Sequence, residues 1–404
     1  MTPGARISAA IEILDAMADG TPAEQAMTRW ARNSRFAGSK DRAAVRDHVF
    51  DVLRQRCQVA HMGQGETGRA LMIGLLRVQG VDPAPLFNGE GHAPRPLAEA
   101  ELDVPAPPTD EATAWNLPDW MIPAFKASLG DRAELTAQAL QTRAPITLRV
   151  NVARGNVVAA MEKLSQQGIE TKANPLASTA LTVTAGERKI RSSSSYLQGD
   201  VELQDASSQA IVAAMPHGAR VLDYCAGGGG KSLAIAMNAD TEVFAHDIDP
   251  ARMRDLPARA ARAGATVHQF NAEEMTAQKP FDVVLCDAPC SGSGAWRRSA
   301  EGKWTLSERR LKDLTQIQDD ILDKAATLTA VHGTLVYATC SIFAEENEHR
   351  IAAFLTRHPE WTQVYSKRFD VDENGDGFFT AHLMRVLKCV LSTKGCFLVD
   401  LPSV

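Results

Sequence analysis

The sequence predicts an α/β protein whose C-terminal half is a doubly wound parallel sheet, preceded by an all-helical unit and a small α/β module. Three observations carry this. From about residue 201 onward, short apolar runs at 219–224 (ARVLDY), 242–247 (EVFAHD), 281–286 (FDVVLC) and 334–338 (TLVYA) alternate with helical stretches. Near the amino terminus, apolar residues recur at helical spacing, at Ile7, Ile11, Leu14 and Met17 and again at Val45, Val49, Val52 and Leu53. Between these regions, seven of the chain's 20 prolines fall in one stretch, which separates the two textures.

Taken in order, the elements are as follows. Residues 69–78 (RALMIGLLRV) read as a further buried helix, so 1–81 form the helical unit. The stretch 82–110, with Pro83, Pro85, Pro94, Pro96, Pro105, Pro107 and Pro108, reads as a semi-extended linker. The small module occupies 111–200: a strand at 146–151, a helix at 156–167 ended by Gly168, a strand at 180–184 and a loop at 191–200. Residues 201–404 form the large α/β domain, and no internal repeat is visible.

The composition excludes several classes. With 404 residues, 45% hydrophobic and 23% charged, the chain is neither disordered, collagen-like nor a disulfide scaffold. A net charge of −6 argues against indiscriminate coating of nucleic acid, though it leaves local basic faces open. The amino terminus (MTPGARISAAIEILDAMADG) lacks the pattern of a secretory signal, and no run approaches the ~20 apolar residues that span a bilayer. A cytoplasmic, monomeric protein with no membrane partner is expected. Seven cysteines, an odd number without a regular framework, are expected as reduced thiols. Cys286 and Cys290 have no second Cys/His pair at ligand spacing, so no metal is expected.

Three motifs carry chemistry. In Asp223-Tyr-Cys-Ala-Gly-Gly-Gly-Gly-Lys-Ser232 a strand runs through four glycines into a helix, letting backbone approach a ligand at the carboxyl edge of the sheet. It lacks the spacing of a Walker loop. The next strand ends in His246-Asp247, about where an acid grips ribose hydroxyls. With no pyrophosphate-binding GxGxxG present, S-adenosylmethionine fits better than a dinucleotide. The other two motifs, Asp287-Ala-Pro-Cys290-Ser-Gly-Ser-Gly294 and Ala338-Thr-Cys340-Ser341, put two cysteines at carboxyl ends of sheet strands. A lone cysteine is more often an inert core residue. Two of them beside a methyl-donor loop and an aspartate match a specific need. Carbon 5 of a pyrimidine is a poor nucleophile until a thiolate adds to carbon 6, and a second group must then remove the carbon 5 proton. Asp287, three residues before Cys290, is placed to select cytosine by its amine and ring nitrogen.

DAPCSGSG, WRR at 296–298, Lys303-Trp304, YATCS at 337–341 and EENE at 345–348 together resemble the RNA 5-methylcytosine methyltransferases of the Sun/Fmu type. The ribosomal small-subunit members, with a helical domain related to an antitermination factor, are the nearest in pattern. AGSKDRAAVRDHVFDVLRQR resembles the end of that domain, ITLRVN and LQGDVELQDASSQ the stretch before the catalytic fold, and DGFF at 376–379 its last strand. The resemblance implies a Rossmann-like class I methyltransferase domain that takes S-adenosylmethionine as cofactor and RNA, ribosomal RNA above all, as partner. It implies Cys340 as nucleophile at carbon 6, Cys290 as the aid to proton removal, and Asp287 as the holder of cytosine. Asp247 would take the cofactor ribose, the loop Cys225, Ala226, Gly227, Gly228, Gly229, Gly230 and Lys231 its methionine end, and Asn271 its adenine. Lys231 and Asp287 would also adjoin the reacting centre. Two departures stand out: Gly227 and Gly228 replace an Ala-Pro pair, which predicts a more mobile loop, and Asn271 replaces an acid.

RNA contact must come from local charge. Residues 29–56 carry eight Lys/Arg against three Asp. Residues 297–312 carry six against two, with Arg297, Arg298 and Lys303 the expected substrate contacts. Arg143, Arg149, Arg154, Arg188, Lys189 and Arg191 form a third candidate patch. Charge runs are more often solvated helix faces. Transfer RNA as substrate, or a non-catalytic assembly factor, are the competing readings; two intact cysteines speak against the second. The tail from Leu387 lies beyond the resemblance.

Overall fold

The computed structural model of the chain describes residues 1–386, together with the backbone of Lys388–Ser392 and Gly395–Val399. Two compact units result: Met1–Arg143 with Trp296–Leu306, and Ala144–Ala295 with the chain from Ser307 onward.

The first unit is built on α1 (Pro3–Ala18), α2 (Ala23–Asn33), α3 (Ser39–Arg54), α4 (Arg56–Gly63) and α5 (Gly68–Val78). The Thr2 hydroxyl opens α1 by accepting the Ala5 amide, and Pro3 follows where its missing N–H is not needed. The expected apolar faces are the buried ones. Ile7 and Leu14, then Val45, Val49, Val52 and Leu53, then Leu71, Met72 and Leu75 meet in one cluster with Trp30 and Ala300.

The proline-rich stretch departs from expectation. It keeps irregular backbone but packs on the helices instead of standing clear of them. Phe87 is buried in the helical cluster, and the Arg69 guanidinium holds both oxygens of Glu101 at 2.7 Å and the carbonyls of Arg95 and Pro96 at 3.1 Å. That arginine draws the Glu101 carboxyl down to about 2. Prolines exclude helix and sheet, but composition cannot show that one arginine on α5 straps the stretch down. Helices Glu111–Trp115, Ile122–Leu129 and Ala133–Leu140 also belong to this compact unit, which runs to Arg143.

The second unit begins with a four-stranded antiparallel sheet ordered β2-β3-β1-β4: β1 (Thr147–Val150), β2 (Glu170–Ala173), β3 (Ala180–Ala185) and β4 (Val201–Leu203). The helix Val157–Gln166, capped by the Asn156 side chain, packs Leu164 against Leu148, Val150 and Leu181. The larger sheet follows, with β5 (Arg220–Asp223), β6 (Glu242–Ala245), β7 (His268–Gln269), β8 (Phe281–Asp287), β9 (Thr329–Thr339), β10 (Trp361–Phe369) and β11 (Phe378–Arg385). Its order is β10-β11-β9-β8-β5-β6-β7; the pairings from β7 through β9 are parallel, and β11 and β10 add antiparallel.

Both faces of this sheet are covered, because successive residues point to opposite sides. Val221, Val283, Leu285 and Val336 pack on Ala206, Ala210 and Ile211 of the helix Ala206–Ala214. Leu222, Val284, Leu335 and Tyr337 pack on the other side, against Leu322 and Ala325 of Glu308–Leu328 and Ile351 and Phe354 of Glu348–Arg357. Sequence order reverses about β5, which opens a crevice at the carboxyl ends of β5, β6 and β8. Beyond β11, Lys388–Ser392 and Gly395–Val399 pair as an antiparallel hairpin.

Candidate active site

The glycine turn leaves β5 at Asp223 and enters the helix Gly230–Ile235. Gly229 precedes that helix at φ +77°, and a Cβ there would lie 2.3 Å from a Leu256 methyl, so glycine is required. Gly227 donates its amide to Asp247 Oδ2 at 2.8 Å, and Arg252 reaches the same oxygen at 3.1 Å. The looser loop expected from Gly227 and Gly228 is thus pinned in this structure. The missing Cβ atoms admit Arg252 and Arg259, whose guanidinium nitrogens lie 3.2 Å from where those Cβ atoms would be. Arg259 also donates to the Gly228 carbonyl.

Asp247 follows β6 and is almost fully buried. Asp223 lies behind the turn, 1% exposed; Ser232 donates to its Oδ2 at 2.6 Å, whereas its Oδ1 has no partner. Burial lifts this carboxyl to about 7. Asn271 caps the helix Ala272–Thr276, accepting the Glu274 amide on its side-chain oxygen at 2.9 Å.

Across the crevice, Lys231 donates to Asp287 Oδ2 at 2.6 Å, at the end of β8. Burial alone would discharge this ammonium, but the Asp287 carboxylate outweighs it and the Lys231 pKa rises. Three residues beyond Asp287, the Cys290 sulfur stands 3.5 Å from that of Cys340, which follows β9. The hydrogen bond to Cys340, and then burial, push the Cys290 thiol well above its ordinary range. Cys225 and Cys286 are pushed up by burial, as inert thiols are. The structure therefore brings Lys231, Asp287, Cys290 and Cys340 together, with Asp247 and the glycine turn on the same edge of the sheet.

The basic residues divide differently from expectation. Arg297 and Lys303 are buried within the first unit. Lys303 donates to the Arg54 carbonyl at 2.7 Å and Trp304 to that of Leu53 at 2.7 Å, satisfying carbonyls that the end of α3 leaves open. Burial brings the Lys303 ammonium down to about 7. Neither Arg297 nor Lys303 is an exposed cation, and the same holds for Arg54 and Arg149. Arg149 instead holds Gln204 and, at 2.7 Å, the Gly230 carbonyl. Arg298, Arg309, Arg310 and Lys312 are exposed. Charge count alone cannot separate a helix cap from a solvated face.

Sequence reasoning missed Glu346, Gln318 and Asn347, all buried beside the two cysteines. EENE and the serine after each cysteine stand in the sequence, but an acid within EENE reads as solvated surface. Among the described residues no His/Cys/Asp/Glu group suits a metal ion, and no helix is long and apolar enough to cross a membrane.

Comparison with known proteins agrees with this geometry. Residues 210–387 match the family described as 16S rRNA methyltransferase RsmB/F, and residues 117–188 the ferredoxin-like domain of RsmF/B-like methyltransferases. Ribosomal RNA small subunit methyltransferase B of Citrobacter koseri is 33% identical over 287 residues, and that of an Enterobacter species 34% over 289. Each alignment spans 66% of this chain and 66% of the relative's own length. Among solved structures, PH0851 shares the fold across 95% of this chain and 99% of its own, with a TM-score of 0.76 at 23% identity. NSun6 from Pyrococcus horikoshii with SFG covers 67% of this chain and 99% of its own, with a TM-score of 0.57 at 16% identity. Sheet order, paired thiols and these matches lead to one placement: the chain belongs to the RsmB/F family of 16S rRNA methyltransferases.

Proposed function

We propose that the protein transfers a methyl group from S-adenosylmethionine to carbon 5 of a cytosine in small-subunit ribosomal RNA, through a covalent bond between Cys340 and carbon 6. The observation that carries this reading is the 3.5 Å approach of Cys290 and Cys340 beside the Lys231–Asp287 pair. The cofactor's residues fit. The glycine turn at 227–230 and Asp247 lie together at the carboxyl edge of the sheet, tied by the Gly227 amide, and behind the turn Asp223 Oδ1 is an orphaned buried acceptor. Asn271 keeps its amide N–H groups for the adenine side. When bound, S-adenosylmethionine supplies an electrophilic methyl carried on a sulfonium.

The protein's own groups do the rest. Asp287 and Lys231 offer an acceptor and a donor side by side, complementary to the amine and the ring acceptors of cytosine. The Cys340 thiolate adds to carbon 6, placing electron density on carbon 5. Cys290, whose sulfur lies 3.5 Å from that of Cys340, assists removal of the carbon 5 proton, after which the Cys340–carbon bond breaks and product leaves. Exposed cations hold the RNA by salt-dependent contacts: Arg29, Arg32, Arg35, Lys40 and Arg298 on the first unit, and Arg188, Lys189, Arg191, Arg309, Arg310 and Lys312 on the second. Thiols of this kind belong in a reducing, cytoplasmic setting.

Cys340→Ala is expected to abolish methylation and any RNA adduct. Cys290→Ala is expected to accumulate a denaturant-resistant protein–RNA adduct on gels. Loss of methylation and adduct in Cys290→Ala together with trapping by Cys340→Ala would reverse the two roles. Bisulfite sequencing of total RNA with and without the gene locates the cytosine. A change confined to transfer RNA would replace the ribosomal substrate, and no change at any cytosine would sink the enzymatic reading.

A further inference from the structure

Glu346 has no part in the chemistry above, yet its carboxylate is fully buried among neutral donors. Oε1 accepts the Ser291 amide at 2.8 Å and Gln318 Nε2 at 3.0 Å. Oε2 accepts the hydroxyls of Ser291 and Ser341, each at 2.5 Å. Gln318 Nε2 also reaches the Pro289 carbonyl at 3.0 Å. The next residue, Asn347, accepts the Thr339 hydroxyl at 2.5 Å and donates to the Ser341 carbonyl at 2.8 Å. The residues before and after Cys290 (Pro289, Ser291) and before and after Cys340 (Thr339, Ser341) are therefore all tied to one hub. Gly294 adds a direct link, donating to the Cys340 carbonyl at 2.9 Å.

A carboxylate is acceptor-only, and four donors converge on its two oxygens. Burying one without a cation is costly, and a structural tie alone is met by an amide at less cost. We propose that Glu346 is a positioning residue that sets the separation of the Cys290 and Cys340 sulfurs, acting through Ser291 and Ser341 with Gln318 bracing Pro289. This rests on the two-cysteine reading. Two groups that act on adjacent ring atoms have little tolerance in spacing, and a misplacement of about 1 Å can cost about 100-fold in rate.

The test uses the full-length protein and two readouts. One is the rate at which diamide, a diazene that takes up two hydrogens, links Cys290 and Cys340, followed as the cross-linked peptide by mass spectrometry. It reports sulfur spacing without any RNA. The other is kcat and KM for RNA methylation. Glu346→Ala is expected to slow cross-linking about tenfold and lower kcat about 100-fold, with KM for RNA and cofactor affinity little changed. Glu346→Gln, which keeps the volume and part of the hydrogen bonding, is expected to restore part of both losses. The double variant Ser291→Ala/Ser341→Ala is expected to reproduce them, and serves if Glu346→Ala does not fold. Cross-linking and kcat within about twofold of the parent would overturn the proposal, as would a loss of kcat matched by an equal loss of cofactor affinity. If Cys340→Ala still methylated RNA, the two-cysteine reading would fall, and the cross-linking rate would still decide whether Glu346 sets the spacing.

Discussion

At Asp223 a carboxyl group is held behind the glycine turn with one oxygen bonded to Ser232 and the other without a partner. Its pKa rises from 3.8 to about 7, chiefly through burial. The folded state therefore prefers the protonated form. The resulting stabilisation is full below the unfolded pKa of about 4 and is lost as pH climbs to about 7, a change of the order of a few kcal/mol. Asp223→Asn should lack this dependence. Thermal unfolding of the two proteins should show the variant gaining on the parent between about pH 4 and 7 and running parallel above it. A constant difference across that range would mean that the carboxyl is ionised in the fold. At this scale the sequence placed Asp247, Asp287, Cys290 and Cys340 at or just past strand ends, and the fold has them there. Glu346 was not readable, because an acid inside EENE looks like solvated surface. Arg297 and Lys303 misled for the converse reason, since only the fold reveals that both side chains are buried.

Among the elements, β5, β6, β8 and β9 were legible as short apolar runs, and their ends carry the site. The edge strand β10 was not, since Trp361–Phe369 exposes Thr362, Gln363, Lys367 and other polar residues and shows no clean alternation. β2 (ETKA) and the two-residue β7 carry too little apolar signal to be seen. One contact between elements bears directly on the thiols. Gly294, in the turn after Cys290, accepts the Gly377 amide on its carbonyl oxygen at 3.0 Å, just before β11. A Cβ on Gly294 would fall 2.0 Å from the Gly377 carbonyl oxygen. Gly294→Ala should thus displace the turn, costing about 1–3 kcal/mol of stability. Methylation should fall more steeply than urea melts alone would suggest, and parent-like activity in a stable protein would show that the close approach is dispensable.

For the molecule as a whole, the sequence conveyed two textures but not where one compact body ends. Residues 296–306 sit in the catalytic part of the sequence and are built into the first unit, where Ala300 is fully buried in the helical core. Ala300→Asp should strip hydrogen-exchange protection from α1, α3 and α5 while leaving the amides of β5, β8 and β9 protected. Equal loss in both sets would mean that the two units open together.

That same segment has a consequence for synthesis. A ribosome completes Arg143 about 150 residues before it reaches Trp296. At ~5–20 residues per second the nascent helical unit waits about 8–30 s for its last piece. Throughout that interval the pocket meant for Ala300 and the carbonyls meant for Lys303 and Trp304 lack their partners, which makes the newborn chain a client for holdase chaperones until the segment arrives.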